Sequence, residues 1–221
     1  MNCLPHLIFD LDGTLIDSSA GVADAVNYSL RMSDHPERQL AEIAPYIGFP
    51  LRQMYAEFGV GPFETLYSHF QDRAMTSVIN AAMPLDHADR VVTNLAIDGY
   101  KMAIATTKIR RHVDEIVAKL GWTAHFSALI GGDEVAHPKP NPEAFALALC
   151  RLGAEPSDSI VIGDTINDVV AARALSIPVV AVLSPYGGEE TLRASRPDYV
   201  IDSIAGLPDL LREYQRRKDS A

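Results

Sequence analysis

The sequence predicts an α/β fold, a doubly wound parallel sheet with an α-helical subdomain inserted after the first strand. Two observations carry this. Short continuous apolar runs alternate with helix-patterned segments through residues 84–221, as expected of parallel strands buried on both faces. Between about 16 and 83 the pattern changes to amphipathic segments and turn residues, with no convincing strand.

Residues 7–9 form the first strand, which ends on two acids, Asp10 and Asp12. Asp17 or Ser18 caps a helix running to about Met32, and further helices cover 37–46, 51–58 and 62–80, punctuated by Pro36, Gly48, Pro50 and Gly59. Residues 102–105 in "YKMAIATTK" are the second strand and 128–130 a shorter third. Residues 159–162 in "SIVIGD" are the fourth, 178–183 the fifth, and 199–201 an edge strand. Helical patterns lie near 109–120, 142–152, 166–175 and 204–216. Residues 1–15 and 84–221 thus read as a core domain and 16–83 as an insert, joined through two crossings near 15 and 84.

The 221 residues are 48% hydrophobic, ample for a core, and carry a formal charge of −10. That charge disfavours nucleic-acid backbones and anionic membranes as partners. No apolar run approaches the roughly 18 residues of a membrane span. No basic segment precedes an apolar one at the N-terminus, so a cytoplasmic protein is expected. Cys3 and Cys150 read as reduced apolar fillers. The basic run 212–218 reads as the end of a last helix, where cations suit the dipole. No feature indicates an oligomeric state.

Polar groups cluster after strand ends: Asp10 and Asp12, Thr106, Lys139 beyond a turn-rich loop, and Asp164 with Asp168. In open α/β sheets, ligands bind outside the carboxyl ends of the strands. Asp10 and Asp12, two apart on an extended chain, would face one bound group unless the chain turns between them, and like charges so close need a cation or a shared proton. Asp164 and Asp168 in "GDTIND" can share the opening turn of a helix. Hard oxygens without Cys or His suit Mg²⁺. Thr106 and Lys139 would then meet phosphate oxygens, with Lys139 on a loop stiffened by flanking prolines. Gly13 and Thr14 fit a tight turn bringing backbone close to the ligand.

Together "FDLDGTLID", "AIATTK", "HPKPNPE" and "VIGDTIND" resemble the four motifs of the haloacid dehalogenase superfamily, with its Rossmann-like core, and in particular its phosphoglycolate phosphatase-like members with a helical cap. The resemblance implies that Asp10 is a nucleophile forming an aspartyl-phosphate and Asp12 the general acid and base. It implies Mg²⁺ held by Asp10, the Asp12 backbone carbonyl and Asp164, with Asp168 directly or through water, and a phosphoryl group bound by Thr106 and Lys139. Thr107 stands where the family often has Asn, among the expected substrate contacts.

Some relatives are set aside on residues. Dehalogenases lack an aspartate at the position of Asp12, and phosphonoacetaldehyde hydrolase uses a cap lysine, whereas residues 1–100 contain none. The β-phosphoglucomutases carry a histidine where this chain has Val22. The expected activity is hydrolysis of a small phosphorylated metabolite, with phosphoglycolate as first candidate. A phosphomutase, a pyrophosphatase or a nucleotidase stays open on the same scaffold. A receiver-like signalling module is disfavoured by Asp12 and the insert. Within "IGFPLRQMY", Arg52 would either meet a second anionic group or stand as a solvated helix residue. The histidines, His87 included, show no functional signature.

Overall fold

The computed structural model describes residues 4–186 and 188–219, so Cys3 lies outside it. The chain runs through β1 (His6–Phe9), β2 (Ile16–Asp17), α1 (Ser19–Met32), α2 (Leu40–Ile43), α3 (Leu51–Glu57), α4 (Phe63–Ala81) and β3 (Met83–Pro84). It continues through α5 (Ala88–Ile97), β4 (Met102–Ala105), α6 (Arg110–Lys119), β5 (Ala128–Ile130), α7 (Glu143–Leu152) and β6 (Ser159–Gly163). It ends with α8 (Ile166–Ala174), β7 (Val179–Val182), α9 (Glu189–Ala194), β8 (Tyr199–Ile201) and α10 (Leu207–Asp219).

Among the described residues the main sheet has six parallel strands in the order β5-β4-β1-β6-β7-β8. Period-two alternation divides its side chains between two cores. Leu7, Phe9, Ile104 and Ile162 face one side, with Val92 of α5, Val113 of α6 and Leu211 of α10. Ile8, Ala103 and Val161 face the other, with Phe145 of α7 and Val169 of α8. Burial on both faces explains why these strands read as unbroken apolar runs. Strand β1 is central: the sheet grows from it through β4 and β5 on one side, and the chain then returns to place β6 on the other. The switch point of the sheet therefore lies at the carboxyl ends of β1, β4 and β6, where the acids stand.

Helices α1 to α4 form the insert, with α1 packed along α4. The expected helix 37–46 is shorter: α2 begins at Leu40, where Gln39 and Glu42 cap each other, and gives way to a 3₁₀ turn at Ala44–Tyr46 containing Pro45. Two-residue strands occupy the crossings, pairing antiparallel with Ile16 opposite Pro84 and Asp17 opposite Met83. They are too short to show period-two alternation, so the sequence carries no strand signal there.

Contacts between core and insert reinforce this ribbon. Lys119 Nζ donates to the carbonyls of Ile79, Asn80 and Ala82, capping the end of α4. The Tyr186 hydroxyl donates to Asp17 Oδ1 at 3.0 Å and accepts from the Ser18 N–H. Helices α5 and α9 were not among the expected elements. The buried spacing Ala88, Val91, Val92, Leu95 is a helical stripe that does announce α5, whereas α9 buries only Leu192. His87 precedes α5 with a φ of 67°. Cys150 is exposed, so it is not a buried filler. The basic run does close α10. Among the described residues no helix is long and apolar enough to cross a membrane.

Candidate active site

The switch point gathers Asp10, Asp12, Thr106, Lys139, Asp164 and Asp168, all buried. Asp10 extends the β1–β6 pairing, its N–H donating to the Ile162 carbonyl at 2.8 Å. The chain then doubles back, with Leu15 and Ile16 N–H donating to the Leu11 carbonyl and Gly13 N–H to that of Ile16. This reversal sends the two acids to different partners instead of one shared group. Asp10 Oδ1 accepts from Lys139 Nζ at 2.7 Å. Asp12 accepts from the Ser18 hydroxyl and lies 3.1 Å from Lys108 Nζ.

Lys139 is the hub. Its ammonium donates to Asp10, to Asp168 at 2.6 Å and to the Ala105 carbonyl at 3.2 Å, using all three protons. Asp168 is also fixed by Thr165, whose N–H and hydroxyl both donate to Oδ2. Carboxylate oxygens of Asp10, Asp164 and Asp168 lie within 4.8 Å of one another. Three carboxylates against one ammonium leave a formal charge of −2 in a buried space, and Asp10 Oδ2 has no hydrogen-bond partner. An orphaned acceptor, hard oxygen donors and a deficit of two positive charges fit a divalent cation such as Mg²⁺.

The electrostatics say the same. Burial pushes the Asp10 carboxyl up to about 7, with Asp168 and Asp12 adding to it against the pull of Lys139. Burial and the neighbouring Asp10 and Asp168 lift Asp164 well above the carboxylate range. Burial alone would discharge Lys139, but the fields of Asp10 and Asp168 outweigh it and hold the ammonium charged. Both directions are compatible because one ammonium serves two carboxylates. Between the ordinary 3.8 of Asp10 and about 7, the folded protein binds more protons than the unfolded chain, so its stability falls as pH rises. Thermal melts without divalent cation should show that decline. It should be shallower with Mg²⁺ present, and shallower in Asp10→Asn; a slope identical in all three would refute the assignment.

Gly13 and Thr14 act on Asp164. Thr14 Oγ1 donates to Asp164 Oδ1 at 3.1 Å. Gly13 has φ 80°, and a Cβ there would stand 2.1 Å from Asp164 Oδ2. Gly13→Ala should therefore cost about 1–3 kcal/mol of stability. Displacing Asp164 should also weaken divalent-cation binding about 10- to 100-fold, readable by Mg²⁺ titration of the melting temperature.

Thr106 is buried, with its hydroxyl accepting from the Lys108 N–H at 3.3 Å. Thr107 Oγ1 donates to the Gly48 carbonyl, joining the loop after β4 to the insert. Beyond these groups a cavity of about 260 Å³ lies between insert and core, with Asp12, Thr107 and Lys108 in its wall. Arg52 lines its rim, paired with Glu64 at 2.9 Å and lying over the Phe63 ring.

Three site residues were absent from the sequence-derived set. Lys108 stands inside the motif "AIATTK", so its position was visible although its pairing with Asp12 was not. Ser18 was read only as a helix cap, but its hydroxyl is spent on Asp12. His112 shares the buried stripe of α6 with Val113, Ile116 and Val117, and that spacing marks it as inward-facing.

Comparison with known proteins agrees with this geometry. The profile of haloacid dehalogenase-like hydrolases matches residues 7–182. The phosphoglycolate phosphatase of Pectobacterium atrosepticum is 32% identical, over 96% of this chain and 94% of that protein. Pyrophosphatase PpaX of Bacillus velezensis is 30% identical, over 91% of this chain and 93% of its own. A haloacid dehalogenase-like hydrolase from Streptococcus pneumoniae superposes with a TM-score of 0.84 at 24% identity, covering 94% of this chain and 98% of that one. A strand-end acid cluster, a doubly wound sheet and a helical insert thus occur in a chain that belongs to the haloacid dehalogenase-like hydrolases, enzymes among which it stands close to phosphatases of the phosphoglycolate phosphatase and PpaX group.

Proposed function

We propose that the protein hydrolyses a small phosphomonoester through a phosphorylated Asp10, with residues 16–83 acting as the cap that selects the leaving group. The observation that carries this reading is Asp10 Oδ2, a buried carboxylate oxygen without a donor, held in place through Oδ1 by Lys139. Attack by Oδ2 on phosphorus forms the Asp10–phosphorus bond and breaks the bond to the leaving oxygen, which takes a proton from Asp12. Asp12 then removes a proton from the water that attacks the same phosphorus, returning Asp10 as a carboxylate and releasing inorganic phosphate. Ser18 and Lys108 contact the Asp12 carboxyl from two sides and orient it at the cavity wall.

Asp10, Asp164, Asp168 and the Asp12 backbone carbonyl would hold Mg²⁺, which supplies positive charge against the phosphoryl oxygens. Thr106 and Lys139 contribute a hydroxyl and a fixed cation to the same group. Val22 supports hydrolysis over mutase chemistry, since the cavity wall there is aliphatic. Relatives named for phosphoglycolate and for pyrophosphate make those two compounds the reference substrates to assay. Phosphate release should require Mg²⁺, stop on chelation with EDTA and recover when Mg²⁺ is restored. Asp12→Asn should lower kcat about 10²- to 10⁴-fold. Release indifferent to EDTA, or full activity in Asp12→Asn, would overturn the reading.

A further inference from the structure

Among the described residues, His112 is the one cavity-lining residue with a buried side-chain atom, Nε2, that has no hydrogen-bond partner. The ring is 2% exposed. Burial, with the positive fields of Lys108 and Arg111, pushes its pKa down to about 4, so the imidazole is neutral. An unmet buried polar atom of this kind is costly unless a ligand satisfies it.

Both cations that line the cavity, Lys108 and Arg52, already have anionic partners. Lys108 faces Asp12 at 3.1 Å. Asp133 accepts the backbone N–H of Arg110 at 2.6 Å, a neutral donor that leaves its negative charge at the wall. Arg52 stands at the rim with its side chain 65% exposed, tied to Glu64 and to the face of Phe63. A carboxylate or second phosphate buried here would have to break one of these two ion pairs or stay unpaired, with the charge of Asp133 against it. The wall offered by the insert is mostly apolar, with Val22, Phe49, Met54, Phe63 and Phe70, and takes in Tyr46, Tyr67 and Gln71 as its uncharged polar side chains.

We infer that the leaving group is an uncharged alcohol whose aromatic or aliphatic body lies against the insert and whose second hydroxyl meets His112 Nε2. This inference rests on the phosphatase reading above. A hydroxyl both donates and accepts, so it satisfies either tautomer of the ring. His112 is then a specificity-determining residue. Phosphoglycolate, whose leaving group carries a carboxylate, is a poor fit.

Four esters test this in the Mg²⁺-supplemented enzyme: benzyl phosphate, its 4-hydroxymethyl and 4-carboxy derivatives, and phosphoglycolate. The 4-hydroxymethyl ester should exceed benzyl phosphate in kcat/KM by about three- to tenfold, the worth of one neutral hydrogen bond. The two carboxylates should fall at least about tenfold below it, through their unpaired charge. In His112→Leu the hydroxymethyl-to-benzyl ratio should drop to near one, and in His112→Gln, which keeps an amide close to the Nε2 position, it should largely return. Both ratios are read on protein shown to be folded by circular dichroism. If His112→Leu does not fold, His112→Asn, polar but too short, takes its place with the same expectation. A carboxylated ester ranking first, or a ratio unchanged in folded His112→Leu or its His112→Asn replacement, overturns the inference while leaving the phosphatase reading intact. Hydrolysis of none of the four overturns the phosphatase reading, and the inference falls with it.

Discussion

Asp10→Asn is expected to lower phosphate release by about 10⁴-fold or more, the scale on which enzymes respond to loss of a covalent nucleophile. The substitution keeps the size of the side chain and an oxygen able to accept from Lys139, so the fold should survive it. It also removes one of three buried carboxylates facing a single ammonium. Without divalent cation near neutral pH, the variant should therefore melt above the wild type while being inactive. That opposition separates a chemical role from a structural one, since a residue needed for packing would lose stability along with activity. Turnover and melting temperature measured on the same preparations decide it. Retained turnover would dismiss Asp10 as nucleophile, and a lowered melting temperature would dismiss the account of charge crowding.

The second large effect belongs to Lys139. Its ammonium is 1% exposed and satisfies Asp10, Asp168 and the Ala105 carbonyl together. Lys139→Met preserves most of the apolar stem but leaves three buried carboxylates with no neighbouring cation. Breaking a buried ion pair in this way costs about 3–5 kcal/mol. For a chain of this size that corresponds to a fall of about 10 °C in melting temperature. The fall should be largest in EDTA at mildly alkaline pH, where the acids cannot relieve the repulsion by taking up protons, and Mg²⁺ should recover part of it. Catalysis should drop about 10²- to 10³-fold even with Mg²⁺ saturating, because a fixed cation has been removed from the phosphoryl site. Unchanged melting in EDTA would mean that the acids are compensated elsewhere.

Much of this arrangement was legible in the chain because its signals are local. Unbroken apolar runs announced each strand of the main sheet, and the acids that follow two of them could be assigned to one edge once the sheet was read as parallel. Asp164 and Asp168 do meet, but not by sharing a helical turn: Asp164 follows β6 and stands before Thr165, the cap of α8, which folds Asp168 back toward the strand end. Even the helices of the insert were visible as amphipathic stretches, with α2 shortened by reciprocal capping at Gln39 and Glu42.

Other features depend on chain reversal and long-range closure. That Asp10 and Asp12 part company follows from the turn at residues 11–16, whose hydrogen bonds redirect the chain within a few residues. That Gly13 and Thr14 hold Asp164 requires β1 and β6 to lie side by side although the residues are 150 positions apart. The ion pair of Lys108 with Asp12 joins the loop after β4 to the loop after β1. The helical stripe turned His112 inward, but only the insert folding over α6 made its surroundings a cavity with a mostly apolar wall. Residue types and spacing sufficed to gather Asp10, Thr106, Lys139, Asp164 and Asp168 because the carboxyl ends of parallel strands share one edge. The shape and charge that select a leaving group arise between two separately built layers, and that closure was decided only in three dimensions.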